Sequence, residues 1–225
     1  MKKLIIILVC SVMTYSAFSQ VDSVLFMYKY QRDVPSRMLY DLLNIQYISA
    51  VCADTNLRGK HFFLTVDEYK EGKLVNHDDL QIKERVDTIP EVTGKGDTLK
   101  HIIDWGRLCL FDTYFKEVSI NLMGQFQNDS MKLLLNYLGV VRQGVLECKE
   151  DFLLRAVNQC GASDSFYIPT NKEVPIFVFT SPFKIKGDDG VVRYGDYCIL
   201  GTQNIKDWYK LFKIEHYYVF NLLIK

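Results

Sequence analysis
The sequence is poor in the residues that usually announce chemistry. Four histidines occur among 225 residues. They fall at His61, His77, His101 and His216, with no His-Glu-x-x-His helix and no pair at metal spacing on one expected element. The five prolines gather into no linker, and no internal repeat is visible. Basic residues form no run, and Lys plus Arg match Asp plus Glu at 27 each. That balance argues against a nucleic-acid partner and gives no attraction to anionic lipid. One sustained apolar run exists, the ten residues from Leu4 to Met13. A membrane span needs about 20, so the mature chain is expected to hold no transmembrane segment.

That short run carries information of its own. Lys2 and Lys3 precede it, and Ala17 and Ser19 follow it. A basic start, a greasy stretch and a small-x-small close make an export signal. The expected division is a signal peptide over 1–19 and one α+β domain over 20–225. The expected location is the periplasm or the cell surface. Val9 stands before Cys10, where a lipidation site wants a small residue, so a soluble mature protein is favoured over an anchored one.

Five cysteines follow the signal: Cys52, Cys109, Cys148, Cys160 and Cys198. An odd number leaves at least one thiol unpaired. Cys148 and Cys160 are expected on one helix, about 18 Å apart, too far for a bridge. Cys52, Cys109 and Cys198 lie in strand-like runs and are expected as buried free thiols.

Apolar spacing suggests the elements. Val21 to Tyr30, Ile45 to Ala53, His61 to Tyr69, Val174 to Thr180 and Ile214 to Ile224 read as strands. Glu71-Gly72 reads as a hairpin turn into Lys73 to Asn76, and Gly187-Asp188-Asp189-Gly190 as a hairpin tip. Leu108 to Met123 is expected to hold two strands, and Ser130 to Leu138 fits either period. Pro35 and Ser36 open a helix with Met38, Leu39, Leu42 and Leu43 on one side. Leu146 to Cys160 gives the clearest helical spacing, ended by Gly161. Thr202 to Lys213 gives another, capped by Thr202 or Asn204. Thirteen of the 31 residues from 70 to 100 are charged, against 24% overall, so this stretch is expected as a solvated excursion. The sum is an α+β fold, mainly antiparallel sheet with three or four helices.

No constellation converges on a reaction. His77-Asp78-Asp79 is a poor chelate, because neighbours on a strand point to opposite faces; a solvated turn is expected. His101 and Asp104 would share a helical face, with Cys109 further on, but no nucleophile-elbow or protease motif surrounds them. The Asp188–Asp189 tip lacks the alternating oxygens and distal Glu of a calcium loop, and Gly94-Lys95-Gly96 is too short for a phosphate loop. No metal and no cofactor is expected. The leading reading is a non-catalytic binding or scaffolding protein with a protein or glycan partner in the envelope. The alternative is an envelope hydrolase whose catalytic groups come from distant segments.

One pattern stands out. Asp is followed by Ser or Thr seven times, and four of these pairs are followed by an aliphatic residue or Met: Asp22-Ser23-Val24, Asp87-Thr88-Ile89, Asp97-Thr98-Leu99 and Asp129-Ser130-Met131. These triplets resemble the acceptor of the general protein O-glycosylation system of Bacteroidota, which modifies exported proteins. Gln20 after the cleavage point is similar to many exported proteins of that phylum. The resemblance implies a lineage and a glycan at one or more of Ser23, Thr88, Thr98 and Ser130. Protein purified from its native envelope should therefore weigh more, by intact mass, than the polypeptide starting at Gln20. A mass equal to the bare polypeptide would refute the modification.

Overall fold
Alternation of inward and outward side chains decides the architecture. The computed structural model describes residues 22–29, 33–80, 86–92, 98–104, 117–137, 140–149, 151–157, 164–195 and 198–225. Its first strands are β1 (Ser23–Lys29), β2 (Ile45–Cys52), β3 (Phe62–Lys70) and β4 (Lys73–Asp79), with helix α1 (Val34–Leu42) between β1 and β2. Then come β5 (Val86–Val92), β6 (Thr98–Asp104), β7 (Val118–Gln127), β8 (Ser130–Tyr137), β9 (Val140–Glu147) and β10 (Leu153–Ala156). The last part holds β11 (Ser165–Pro169), β12 (Val174–Thr180), β13 (Lys184–Lys186), β14 (Val192–Tyr194), α2 (Cys198–Thr202), α3 (Trp208–Phe212) and β15 (His216–Ile224).

Two antiparallel sheets carry the core. The first has the order β11-β1-β2-β7-β8-β9, the second β10-β12-β15-β3-β4. One cluster of buried residues takes Val24, Phe26, Ile48, Ile120 and Leu133 from the first and Leu64, Phe177, Phe220 and Leu222 from the second. The sheets therefore face each other as a sandwich. The buried Tyr28 hydroxyl crosses the layer and donates to the Ile176 carbonyl at 2.7 Å. β5 and β6 pair with each other as a separate two-stranded ribbon.

β15 is buried on both faces. Tyr218, Phe220, Leu222 and Ile224 enter the core. Tyr217 and Val219 point the other way, into a second cluster with Val157, Phe183, Leu200 and Trp208. The two short helices lie over that outer face. Trp208 Nε1 donates to the Leu200 carbonyl at 3.2 Å, and the Tyr217 hydroxyl to the Ile205 carbonyl at 2.7 Å. The β3–β4 turn docks on this cap: Gly72 has φ +75°, and a Cβ there would sit 2.8 Å from the Lys206 carbonyl oxygen.

The fold is mainly sheet, 58% strand against 16% helix, which corrects the expected α+β architecture with three or four helices. Three short helices occur among the described residues, of nine, five and five residues. The main error is the helix expected over Leu146 to Cys160. β9 ends at Glu147, the chain turns, and β10 pairs with β12 from Leu153↔Thr180 to Ala156↔Phe177. Phe152, Leu154 and Ala156 enter the core at a period of two; pairing with β12 overrides spacing that also fits a helix. Cys148 thus sits in a turn, and Cys160 lies outside the described residues. Thr202 to Lys213 is interrupted by a 3-10 turn capped by Asn204, whose Oδ1 accepts from Lys206 N at 3.1 Å. Ser130 to Tyr137 is a strand.

α1 forms where Pro35 predicts it, with Asp33 as N-cap. Its apolar side faces outward, however: Met38 is 66% and Leu42 81% exposed.

The open edge of β10 is sealed by a side chain. Gln46 Nε2 donates to the Phe152 carbonyl at 2.8 Å, and Leu154 N–H donates to Gln46 Oε1 at 2.5 Å. One amide thus imitates a neighbouring strand, joining the first sheet to the second. Gln46→Ala should cost about 1–3 kcal/mol through these two orphaned groups and lower Tm by about 2–4 °C per kcal/mol. Gln46→Glu should recover part of the loss, because it still accepts from Leu154. Calorimetry of the three proteins checks this.

Candidate functional site
On the opposite side the side-chain bonds between the edges are confined to the ends among the described residues: the Tyr218 hydroxyl to the Glu147 carbonyl, and the Tyr137 hydroxyl to the Leu80 carbonyl at 3.1 Å. There the edge of the second sheet, β4, faces the edge of the first, β9, and among the described residues neither carries a further strand partner. β4 is irregular: Asn76 pairs with Glu68 and Leu74 with Tyr69, leaving Val75 as an extra residue. Such bulges and charges blunt an edge. β9 pairs with β8 without a break, from Ser130↔Glu147 to Tyr137↔Val140.

Between the two edges lies a cleft. Its polar part, about 250 Å³, is lined by Glu68, Lys70, Asn76, Asp78, Glu147 and Tyr218. Its mainly apolar part, about 180 Å³, opens beside Gly144 onto Val66, Leu80, Leu122, Leu133, Leu135 and Phe220, with Arg142 and Gln143 also in its lining. Asp78 lines both.

The polar groups are bound to one another. Glu68 Oε1 lies 2.9 Å from His216 Nε2 and 3.1 Å from Lys70 Nζ. Lys70 also reaches Glu147 at 3.2 Å. The Tyr218 hydroxyl donates to the Glu147 carbonyl at 2.9 Å. Burial pushes the Glu68 carboxyl up, but the hydrogen bonds and charges of Lys70 and His216 outweigh it and hold it below its usual range. Burial also lowers the His216 imidazole, against the pull of Glu68. His216 packs edge-on to Phe152, ring centroids 5.4 Å apart, and is neutral at pH 7. Lys70 is raised by its hydrogen bonds to the two carboxylates.

A second polar set sits on the reverse face of β3. Buried Asp67 places Oδ1 2.6 Å from His77 Nδ1 and accepts from Asn221 Nδ2 on Oδ2 at 3.0 Å. The carboxylate holds the imidazole above its usual range. This is half of a hydrolytic relay. Tyr69 beside it is pushed up to about 12, mainly by burial. The thiols of Cys52 and Cys148 are free, buried and pushed up to about 11 by burial, which makes them poor nucleophiles.

The residues singled out in the sequence do not assemble into one site. His101 and Asp104 lie in β6, opposite Ile89 and Val86, so the helix on which they would share a face does not form. Cys109 is outside the described residues. His77, Asp78 and Asp79 belong to a strand, not a turn, and their alternation prevents a chelate; among the described residues no group of three metal-ligating side chains gathers. Asp189 accepts from Val191 N at 3.0 Å and pairs with Arg193, which accounts for the hairpin tip without calcium. Ser23 opens β1 opposite Pro169. Ser130 opens β8, its hydroxyl donating to the Gln127 carbonyl at 2.9 Å. Thr88 and Thr98 lie in the β5–β6 ribbon.

Glu68, Lys70, Glu147 and Tyr218 have no signal in the sequence analysis, and His216 figures there only as one of four histidines. One signal was present nearby: Asp67 and Glu68 interrupt an apolar strand, and Asn221 interrupts the run from Tyr217 to Ile224. Polar residues inside buried strands are costly and mark sites. No protein-family model, no curated protein and no solved structure matches the chain. Among the described residues no helix is long and apolar enough to cross a membrane.

Stability should report the cleft groups. Glu68 and His216 are both lowered on folding, so each stabilises fully above its unfolded pKa and loses that contribution as pH falls through the folded one. Tm should fall as pH drops below 6.5, the ordinary His216 value, and again below 4.5, that of Glu68. His77 is raised and acts in reverse, its contribution fading as pH climbs above 6.5. In a melting series across pH, His216→Gln should flatten the first acidic step. An unchanged step would contradict the assignment.

Proposed function
We propose that the chain is an exported, non-catalytic binding protein of the bacterial cell envelope, and that its cleft receives an extended segment of a protein partner by strand addition along β9. The carrying observation is β9 itself: eight residues in unbroken register with β8, bordering a cleft whose floor is apolar at one end and charged at the other. An edge of this kind offers main-chain hydrogen bonds to an incoming strand, while pockets beside it select side chains.

The saturated charges support binding over catalysis. Glu68, His216, Lys70 and Glu147 satisfy one another, and no nucleophile joins them among the described residues. Export and glycosylation at Ser23, Thr88, Thr98 or Ser130 belong to the same reading. The hydrolase alternative draws on one observation, the Asp67–His77 pair.

The test uses the mature protein as bait for a displayed library of random peptides, followed by hydrogen exchange with the enriched peptides. Enrichment with slowed exchange of the β9 amides from Val141 to Leu146 is expected. Protection elsewhere, or no enrichment, would overturn strand addition. Cleavage of the peptides would put the hydrolase in its place.

A further inference from the structure
Leu133 lies between two glycines. On one side it pairs with Gly124 of β7, on the other with Gly144 of β9. Residues paired across an antiparallel ladder point the same way, so all three positions face the core. Over Gly124 the space is taken: a Cβ would fall 2.2 Å from the Met131 sulfur. Over Gly144 the space is open, with nothing within 4 Å of a Cβ. Its φ is not in the left-handed region, which leaves neither backbone strain nor crowding to require glycine there. Glycine inside a strand is costly, and one recurrent reason for it is the approach of a ligand or another backbone.

The opening over Gly144 is the mouth of the apolar slot of about 180 Å³. An apolar cavity of about 150 Å³ holds a benzene-sized group, so the slot has room for one large apolar side chain. The polar cleft begins at Leu146 and Glu147 on the same strand. Gly144 and Leu146 are two positions apart, about 6.7 Å along a strand. Alternate side chains of an added strand have the same spacing. The polar cleft holds the carboxylates of Glu68, Asp78 and Glu147 against the single ammonium of Lys70. Asp78 meets only the Asn76 amide, at 3.0 Å, among the described residues. It is the carboxylate left for an incoming cation.

We propose that the cleft beside β9 offers an extended peptide two adjacent subsites, an apolar one over Gly144 and an acidic one at Asp78, so that the preferred segment carries an apolar and a basic side chain two positions apart. This deepens the strand-addition reading and rests on it. Gly144 is then the specificity-determining position.

The probe is a fluorescein-labelled threonine peptide carrying leucine and lysine two positions apart. Its controls replace leucine by serine or lysine by glutamate. Anisotropy is read with the mature protein, with Gly144→Leu and with Asp78→Asn. The leucine–lysine peptide should bind roughly tenfold tighter than the serine control, as burial of one leucine implies. Gly144→Leu should erase that preference while its Tm stays equal or rises, because the new side chain covers Leu133 without displacing backbone. Asp78→Asn should weaken the preference for lysine over glutamate. Peptides that protect the β9 amides but bind without regard to leucine or lysine would overturn the subsites and leave strand addition standing. A leucine preference that survives in Gly144→Leu would overturn the slot. Peptides that leave the β9 amides unprotected would remove the underlying reading as well.

Discussion
The edges of two packed sheets are where a shared apolar layer meets water, and the two sides of this sandwich manage that exposure differently. At β10 the Gln46 amide stands in for a missing strand and satisfies two backbone groups. At β4 and β9 the side-chain bonds among the described residues sit at the two ends, Tyr218 to the Glu147 carbonyl and Tyr137 to the Leu80 carbonyl, and the core is reached between them beside Gly144. β4 is guarded by its bulge and its charges; β9 keeps a regular edge. The functional reading depends on this asymmetry. A sandwich sealed at both sides would have no concavity between its layers, and the charged set around Glu68 would be an ordinary surface network.

Strands with clean alternation or a continuous apolar run were legible before the structure. β1, β2, β3, β12 and β15 fall within a residue or two of where their apolar pattern puts them, as do the Glu71-Gly72 and Gly187–Gly190 turns. The same reasoning failed from Leu146 onward, because Leu146, Leu153 and Val157 fit a helical period while Phe152, Leu154 and Ala156 fit a strand one. What decides between them is the β12 ladder, some 25 residues away in sequence (Leu153↔Thr180). α1 was legible from its cap and proline, yet the direction of its apolar side was not, since spacing defines a stripe but not what it meets. The site was hidden for a similar reason. His216 and Glu68 are 148 residues apart, and the meaning of Gly144 depends on Met131 filling one neighbouring space and nothing filling the other.

The chemistry of the cleft follows from the same closeness of groups. A carboxylate that already accepts from a lysine and a histidine has little basicity left to offer. A neutral imidazole packed against Phe152 holds its proton toward Glu68 and not toward solvent. Such a set fixes shape and charge at the mouth of a core. The Asp67–His77 pair is its counterpart on the reverse face: there the carboxylate is buried and the imidazole is more than half exposed, which keeps a proton carrier in contact with water.

The pairing of Phe62 with Ile224 has a kinetic meaning. β3 is made early in synthesis, but its partner on the core side, β15, is made more than 150 residues later, and the ladder between them is the axis of the second sheet. Until that late segment arrives, the β3–β4 hairpin lacks the strand that joins it to β12 and β10, and such non-local closure is slow. A chain that cannot complete its interior early stays loose and threadable for longer.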